Sequence, residues 1–448
     1  MKRYESWGRF PRAKHAAIIP LYWRSDPPCF DELAHPVLPF AYGRSYGDAC
    51  LNDGGILIDT APLSRFMGFD EENGVIRCEA GMTLAEILDL AVPRGWFLPV
   101  TPGTKYVSIG GAIANDVHGK NHHNAGTFGR YVKKFELLRS TGDRFLCSPS
   151  QNVEYYNATI GGLGLTGLIL WAEVQLIPIG SPYVAMERIR FADLREFLDL
   201  SASSDHDYRY TAAWVDCLVQ GADLGRGIFI RGNHLDRSSH AFTEVRPPRT
   251  MRVPCEFPGL FLNWLTIKAF NTAYYYAQFH KHVEKVVHYE PFFYPLDAIQ
   301  GWNQMYGRRG LLQYQCVVPY EAEGIAIREI LTRIARSRKA SFLGVLKIFG
   351  NHRSSGMLSF PRPGITLALD FPYDGFTTLQ LLEELDGIVR EARGAVYPAK
   401  DARMSAKSFQ TYFPNWREFS RFIDPKFSSS LWRRVTGEID ENEACTKS

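Results

Sequence analysis

Short apolar runs with alternating character, broken by glycines and polar turns, fill the first 180 positions of the chain. Residues 55–59 (GILID) and 75–79 (VIRCE) are β-branched runs bounded by turn residues, which predicts strands. The period then changes to helical. Leu84, Ile87, Leu88 and Ala91 share one face, and Thr83 with Glu86 three residues on is a capping-box pattern, so a helix is predicted over 83–91. Residues 134–139 and 168–176 predict further strands, with Thr141-Gly142-Asp143 as a hairpin turn. In the second half, Gln313 and Gln315 fall on one side of a strand and Tyr314 on the other, because alternate residues share a face. Lys347 alternates with Val345 and Phe349 in an otherwise apolar run. A lysine buried there without a partner is costly, so an anion or a solvent-facing surface is expected opposite it.

Three glycine-rich stretches interrupt this pattern: GRSYGD at 43–48, a long run at 101–129, and GGLGLTG at 161–167. The middle one, TPGTKYVSIGGAIANDVHGKNHHNAGTFG, has neither helical nor strand period, and it sets Asn115, Asp116, His118, Lys120, Asn121, His122 and His123 among small residues. Glycines allow close backbone approach and exposed amides hold anions, so this run reads as a cofactor cradle. Gly43 and Gly47 around Arg44, Ser45 and Tyr46 suit a diphosphate, with close amides and a fixed positive charge. No stretch ends in G-K-[ST] and none opens a βαβ unit with G-x-G-x-x-G, which excludes a P-loop and a Rossmann fingerprint.

At 448 residues the chain suggests two or three domains. Its net charge of +3 is too small and dispersed for a nucleic-acid partner. Eight cysteines carry no CxxC or zinc-type spacing, so neither disulfides nor a structural metal are expected, and the adjacent His122 and His123 point apart, which argues against a metal site. No apolar leader or membrane span is visible. The expected location is cytoplasmic, with peripheral contact to the inner membrane face through the aromatic segment 258–279 (PGLFLNWLTIKAFNTAYYYAQF); a buried helix is the alternative for that segment.

The three glycine stretches, together with QYQCVVP (313–319), FLGVLKIFG (342–350), LSFPRPG (358–364), LDFP (369–372) and AKDAR (399–403), span nearly the whole chain in one order. In these motifs the sequence resembles the FAD-binding oxidoreductases of the vanillyl-alcohol oxidase (PCMH-type) superfamily, and within it the oxidases of polyprenylphosphoryl pentoses. The resemblance implies an α+β, two-domain PCMH-type FAD-binding fold with a sheet-based substrate (cap) domain. Residues 1–178 would form the FAD-binding domain, 179–395 the cap, and 396–448 a segment returning to the FAD domain.

It also implies hydride transfer from a sugar secondary alcohol to flavin, here the 2-hydroxyl of a lipid-linked pentose, as the first half of an epimerisation that a separate short-chain ketoreductase completes. His118, Lys400, Lys120 and Gln315 are the catalytic candidates, with Asp401 as an ion-pair partner for Lys400. The FAD contacts expected are Gly43, Arg44, Ser45, Tyr46, Gly47, Pro102, Gly103, Thr104, Gly110, Gly111, Asn115, His118, Gly119, Asn121, Gly126, Thr127, Gly164, Leu165, Gly167 and Lys400. Gln313, Gln315, Lys347 and Tyr294 are expected on the substrate. Members that tether FAD carry a histidine where this chain has Ser45, so non-covalent FAD is predicted. Two positions depart from the pattern: Ala368 stands where relatives carry a cysteine, and Phe293 where they carry a pocket tyrosine. A small-sugar aldonolactone or alditol oxidase is the alternative activity, and a flavin-binding scaffold without turnover a third reading.

Overall fold

A computed structural model describes residues 4–236, 250–253, 256, 262–320, 324–339 and 341–437. Its N-terminal part holds two small sheets and a two-stranded ladder of Trp96–Phe97 with Ile177–Pro178. A parallel sheet orders Ala17–Pro20, Ile56–Asp59 and Val37–Phe40, with Ile56–Asp59 in the middle. An antiparallel sheet orders Phe66–Asp70, Val75–Glu79, Leu168–Gln175, Val132–Leu138 and Arg144–Cys147. The helix Leu84–Ala91 covers it, and its capping box is formed: Thr83 Oγ1 accepts from the Glu86 amide while the Glu86 carboxylate accepts from the Thr83 amide. Leu84, Ile87, Leu88 and Ala91 are all fully buried, as one apolar face requires.

A single eight-stranded antiparallel sheet forms the other half. Its order is His282–His288, Tyr183–Phe191, Gly227–His234, Tyr210–Val215, Gly344–Phe349, Gly364–Pro372, Leu311–Val318 and Ala395–Val396. Helices Ile325–Ser337 and Phe376–Glu391 pack together on one face of it, so the opposite face is left to meet the glycine loops. After Val396 the chain returns to the N-terminal sheets. The Val37 amide donates to Lys426 O, Ser428 donates back to Val37 O, and Arg139 pairs with the buried Asp424 at 3.3 Å.

Within the 101–129 cradle the structure adds what hydrophobic period could not show: a short helix Ile109–Ala114, capped by Ser108 Oγ, and a single turn His122–Ala125. A six-residue helix made of glycine, alanine and isoleucine carries no polar face to betray its period. The aromatic segment is a helix over Trp264–Tyr276; residues 258–261 lie outside the described residues, as do Cys255 and Cys445. No helix among the described residues is long and apolar enough to cross a membrane. The other six cysteines are free thiols.

Candidate active site

The two halves meet around a cavity of about 770 Å³, within the range of roughly 300–1,000 Å³ common for ligand pockets. Gly43, Arg44, Ser45 and Tyr46 line one end. Gly43 has φ of +60°, and a side chain there would strike Glu5 O at 2.2 Å, so only glycine turns the chain at this point. The loop is fastened on both sides: Trp7 donates to Ser45 O at 2.8 Å, and Tyr46 donates to Ala399 O at 2.9 Å. Arg44 stacks over Trp7, with 4.4 Å from guanidinium carbon to ring centroid, and its Nε has no partner among the described residues. Pro102, Gly103, Thr104, Gly110, Gly111 and Asn115 form the cradle wall, and Gly164 and Gly167 close the far side.

The sheet supplies the opposite wall. Gln313 pairs with Asp370, and Gln315 with Ala368, which in turn pairs with Val345; Lys347 pairs with Thr366. Alternation therefore puts Gln313, Gln315, Ala368, Asp370, Val345 and Lys347 on one face of three neighbouring strands, and all six line the cavity. Tyr314 faces the other way, donating to the buried Asp386 at 3.1 Å. Lys400 enters from the turn after Pro398, its ammonium 3.9 Å from the Tyr46 ring centroid.

Electrostatics here favour neutral groups. Burial, with Lys120 and Lys400 nearby, pulls the Lys347 ammonium down to about 7. Lys400 is likewise lowered by burial, with Asp370 opposing that, and Asp370 is raised by burial while Gln313 and Lys400 oppose it. His118 is held well below the usual histidine range by burial, then by Lys347, His122 and Lys400. Its tautomer follows from the hydrogen bonds. Thr366 donates to Cys316 O at 2.8 Å, so its oxygen accepts from Gln315 Nε2 at 3.4 Å. The same amide nitrogen lies 2.8 Å from His118 Nε2, which must then be the acceptor. The His118 proton sits on Nδ1, which is buried and has no partner among the described residues. His118 is thus a neutral donor.

Several expected residues lie off the cavity wall. Lys120 is behind it, where burial lowers its ammonium to about 8 and its backbone carbonyl accepts from Thr211. Gly47 is packed against the Asp401 carbonyl, where a Cβ would come within 1.7 Å, and Gly119 against the Thr101 carbonyl. Asn121 holds the loop by donating to Pro99 O at 2.7 Å. Gly126 lies against Arg130, Thr127 bridges to His118 through the backbone, and Leu165 belongs to the core. Tyr294 is 2% exposed in an aromatic cluster, with its hydroxyl 2.6 Å from Thr101 Oγ1, and does not reach the cavity.

The expected Lys400–Asp401 pair is not formed. Neighbours in a turn diverge, and Asp401 instead binds Arg434 at 2.9 Å and accepts from the amides of Arg403 and Met404. Asp370, Trp7, Asp297 and Trp302 line the cavity without having been expected there. Asp370 was legible, because it shares the strand face of Ala368 two residues earlier; Trp7 had no such signal.

His122 packs at a tilt against Phe349 at 4.3 Å and His123 approaches Tyr208 O at 2.9 Å, and among the described residues no carboxylate completes a metal site with them. Among the described residues, Glu187, His282 and Glu284 are close enough together to share an ion, but Glu187 is taken up by Arg231 at 2.9 and 2.7 Å.

Residues 29–148 match the FAD binding domain family. Glycine loops with close backbone approach, the unpartnered Arg44 Nε and the His118 Nδ1 donor fit that cofactor. Fold and site together define an FAD-dependent oxidoreductase with a PCMH-type cofactor domain. The chain is 34% identical over 455 residues to Decaprenylphosphoryl-beta-D-ribose oxidase of Mycolicibacterium smegmatis, covering 97% of each. It is 31% identical to an uncharacterized protein in the mprA 5' region of Streptomyces coelicolor, over 79% of this chain and 100% of that one. A shorter likeness, 28% over 36% of this chain and 31% of the other, links it to human Delta(24)-sterol reductase. The chain belongs to the family of the decaprenylphosphoryl-beta-D-ribose oxidase.

Proposed function

We propose that the protein oxidises the 2-hydroxyl of a polyprenylphosphoryl pentose to a ketone, the first half of an epimerisation that a separate short-chain ketoreductase completes. The observation that carries this reading is the polar strand face of Gln313, Gln315, Asp370 and Lys347, set across one cavity from the glycine cradle, with Lys400 and His118 between them. FAD, held by the glycine cradle and the Arg44 loop, would supply the hydride acceptor for the carbinol carbon. The chain's own groups do the rest. Lys400, whose ammonium burial lowers to about 8, accepts the hydroxyl proton in its neutral form as the C=O bond forms. His118 Nδ1–H donates into the cavity and holds the reacting groups in line, while Gln315 fixes its ring. Lys347, which faces the cavity without an anionic partner among the described residues, binds the substrate phosphate, and Gln313 a sugar hydroxyl. Tyr294 takes part only through Thr101.

The FAD-facing part of the chain is 1–178 joined by 396–448, and 179–395 is the substrate cap. The segment 258–279 brings the protein to the membrane that carries its lipid-tailed substrate. Anaerobic bleaching of the flavin by a polyprenylphosphoryl pentose tests the reading; bleaching by free aldonolactones or alditols alone would replace it with the small-sugar alternative.

A further inference from the structure

The helix Trp264–Tyr276 carries a surface that the chemistry above does not use. Leu265, Ala269, Ala273 and Tyr276 form a contiguous exposed stripe along it, with Leu265 67% and Tyr276 53% exposed, and Phe279 just beyond the helix is 88% exposed. One step around the helix, Trp264, Lys268 and Thr272 open on a second cavity of about 490 Å³, closed on its other side by Arg336 and Arg338 at the end of the helix Ile325–Ser337. The Lys268 ammonium lies 4.8 Å and the Arg338 guanidinium 5.3 Å from the Trp264 ring centroid, so two cations flank one indole. Arg226, deeper in, is neutralised by Asp216 at 3.0 Å. Lys268, Arg336 and Arg338 have no carboxylate partner among the described residues. The sequence from Leu262 to Val283 contains no acidic residue. A chain of ring contacts, Phe270 to Phe342 at 6.0 Å, Phe342 to Tyr306 at 5.7 Å and Tyr306 to Trp302 at 6.2 Å, joins this helix to the wall of the FAD cavity.

An exposed apolar stripe edged by unpaired cations and an interfacial tryptophan is the pattern of a helix lying in a membrane interface. We propose that this face seats the protein on an anionic bilayer. A phospholipid phosphate sits between Lys268, Arg336 and Arg338, while Leu265, Tyr276 and Phe279 enter the acyl boundary. Charge complementarity selects the occupant, because Lys268, Arg336 and Arg338 edge the stripe without a carboxylate partner among the described residues and would repel a second copy of themselves. The proposal rests on the lipid-tailed substrate reading above and extends it from a contact to a headgroup site with named residues.

The test is co-sedimentation of the full chain, with FAD bound, on vesicles of phosphatidylglycerol in phosphatidylcholine and on pure phosphatidylcholine. Binding is expected only to the anionic vesicles and should weaken with salt. At about 1 kcal/mol for each cation near an anionic surface, Lys268→Ala and Arg338→Ala should each lower the partition about fivefold, and together about 25-fold. Leu265→Asp should abolish it, with melting temperature and flavin absorbance unchanged in all three, since these side chains are exposed. Equal binding to neutral vesicles, or none to either, would overturn the proposal. Protection by inorganic phosphate that needs Lys268 without any vesicle binding would assign the pocket to a free phosphate. A dimer in solution that Leu265→Asp dissolves would assign the stripe to a second copy. Flavin reduction by a water-soluble, short-tailed prenylphosphoryl pentose is measured alongside. Reduction without vesicle binding sinks only this inference; vesicle binding without reduction sinks only the substrate reading.

Discussion

The Gln315 side-chain amide donates to His118 Nε2 at 2.8 Å and thereby fixes the histidine, which lines the cavity, as a neutral ring whose only proton is on Nδ1. The amide orientation is itself set by Thr366, whose hydroxyl proton is committed to Cys316 O. Removing the donor frees the ring to flip or change tautomer. Gln315→Leu should therefore slow flavin reduction by about 10- to 100-fold, the kinetic equivalent of a lost buried hydrogen bond of roughly 1–3 kcal/mol. The melting temperature should move little, because leucine fills similar volume. Stopped-flow absorbance of the flavin checks this, and a Gln315→Leu rate equal to wild type would show that the ring is held by other means.

In the proposed reaction Lys400 is the base, so Lys400→Met should lower the reductive rate by roughly 10² to 10⁴ while FAD stays bound. In the wild type this rate should rise with pH through a limb well below the ordinary lysine value of 10.5, since burial lowers Lys400 and only its neutral amine accepts a proton. Loss of that limb in Lys400→Met is the decisive readout. A limb that survives the substitution would transfer the role elsewhere.

Half of this arrangement was legible in the sequence. The capping box at Thr83 and Glu86 formed because its two partners lie three positions apart on one helical turn, and the shared face of Gln313 and Gln315 followed from the two-residue period of any strand. The electrostatic influence of Asp370 on Lys400 was not legible, because it joins a turn to a strand some thirty residues away and depends on register. Asp401 looked like the partner only by adjacency. Tyr294 shows a second limit: an aromatic beside a turn reads the same whether its hydroxyl meets a ligand or, as here, Thr101.

Lys347 gives a stability signature. Its ammonium is lowered to about 7 in the folded protein, against 10.5 for an exposed lysine. Below about 7 both folded and unfolded chains hold the proton and the burial penalty is fully present; between about 7 and 10.5 the unfolded chain binds more protons, so stability rises with pH, by at most about 1.4 kcal/mol per pH unit for this one group. Lys347→Met removes the penalty. The variant should melt above wild type at pH 7, and the gap should close as pH is raised toward 10. A gap independent of pH would place the ammonium in solvent.

Arg434 ties the first glycine loop to the Lys400 turn, binding Asp48 at 2.7 Å and Asp401 at 2.9 Å, both carboxylates being nearly fully buried. Arg434→Gln leaves the buried Asp48 without its cation and Asp401 with only the more distant Arg403, at 4.0 Å, which costs about 3–5 kcal/mol. A lower melting temperature together with faster FAD loss is expected; Arg434→Lys, which keeps the charge, should restore part of both. Unchanged FAD retention would confine Arg434 to global stability.

Ser45 stands on the cavity wall where a tethering histidine would be, so the flavin should leave the protein on acid precipitation and appear entirely in the supernatant. Yellow colour in the pellet would mean a covalent link through another residue.

The central claim is that this cavity oxidises a lipid-linked pentose at its 2-hydroxyl. Its most direct test is anaerobic single-turnover reduction of the bound flavin by a polyprenylphosphoryl pentose and by the same compound lacking its 2-hydroxyl. The account predicts loss of the oxidised-flavin absorbance with the first, together with one equivalent of ketone, and none with the second. Equal bleaching by both, or bleaching only by free lactones and alditols, would contradict it.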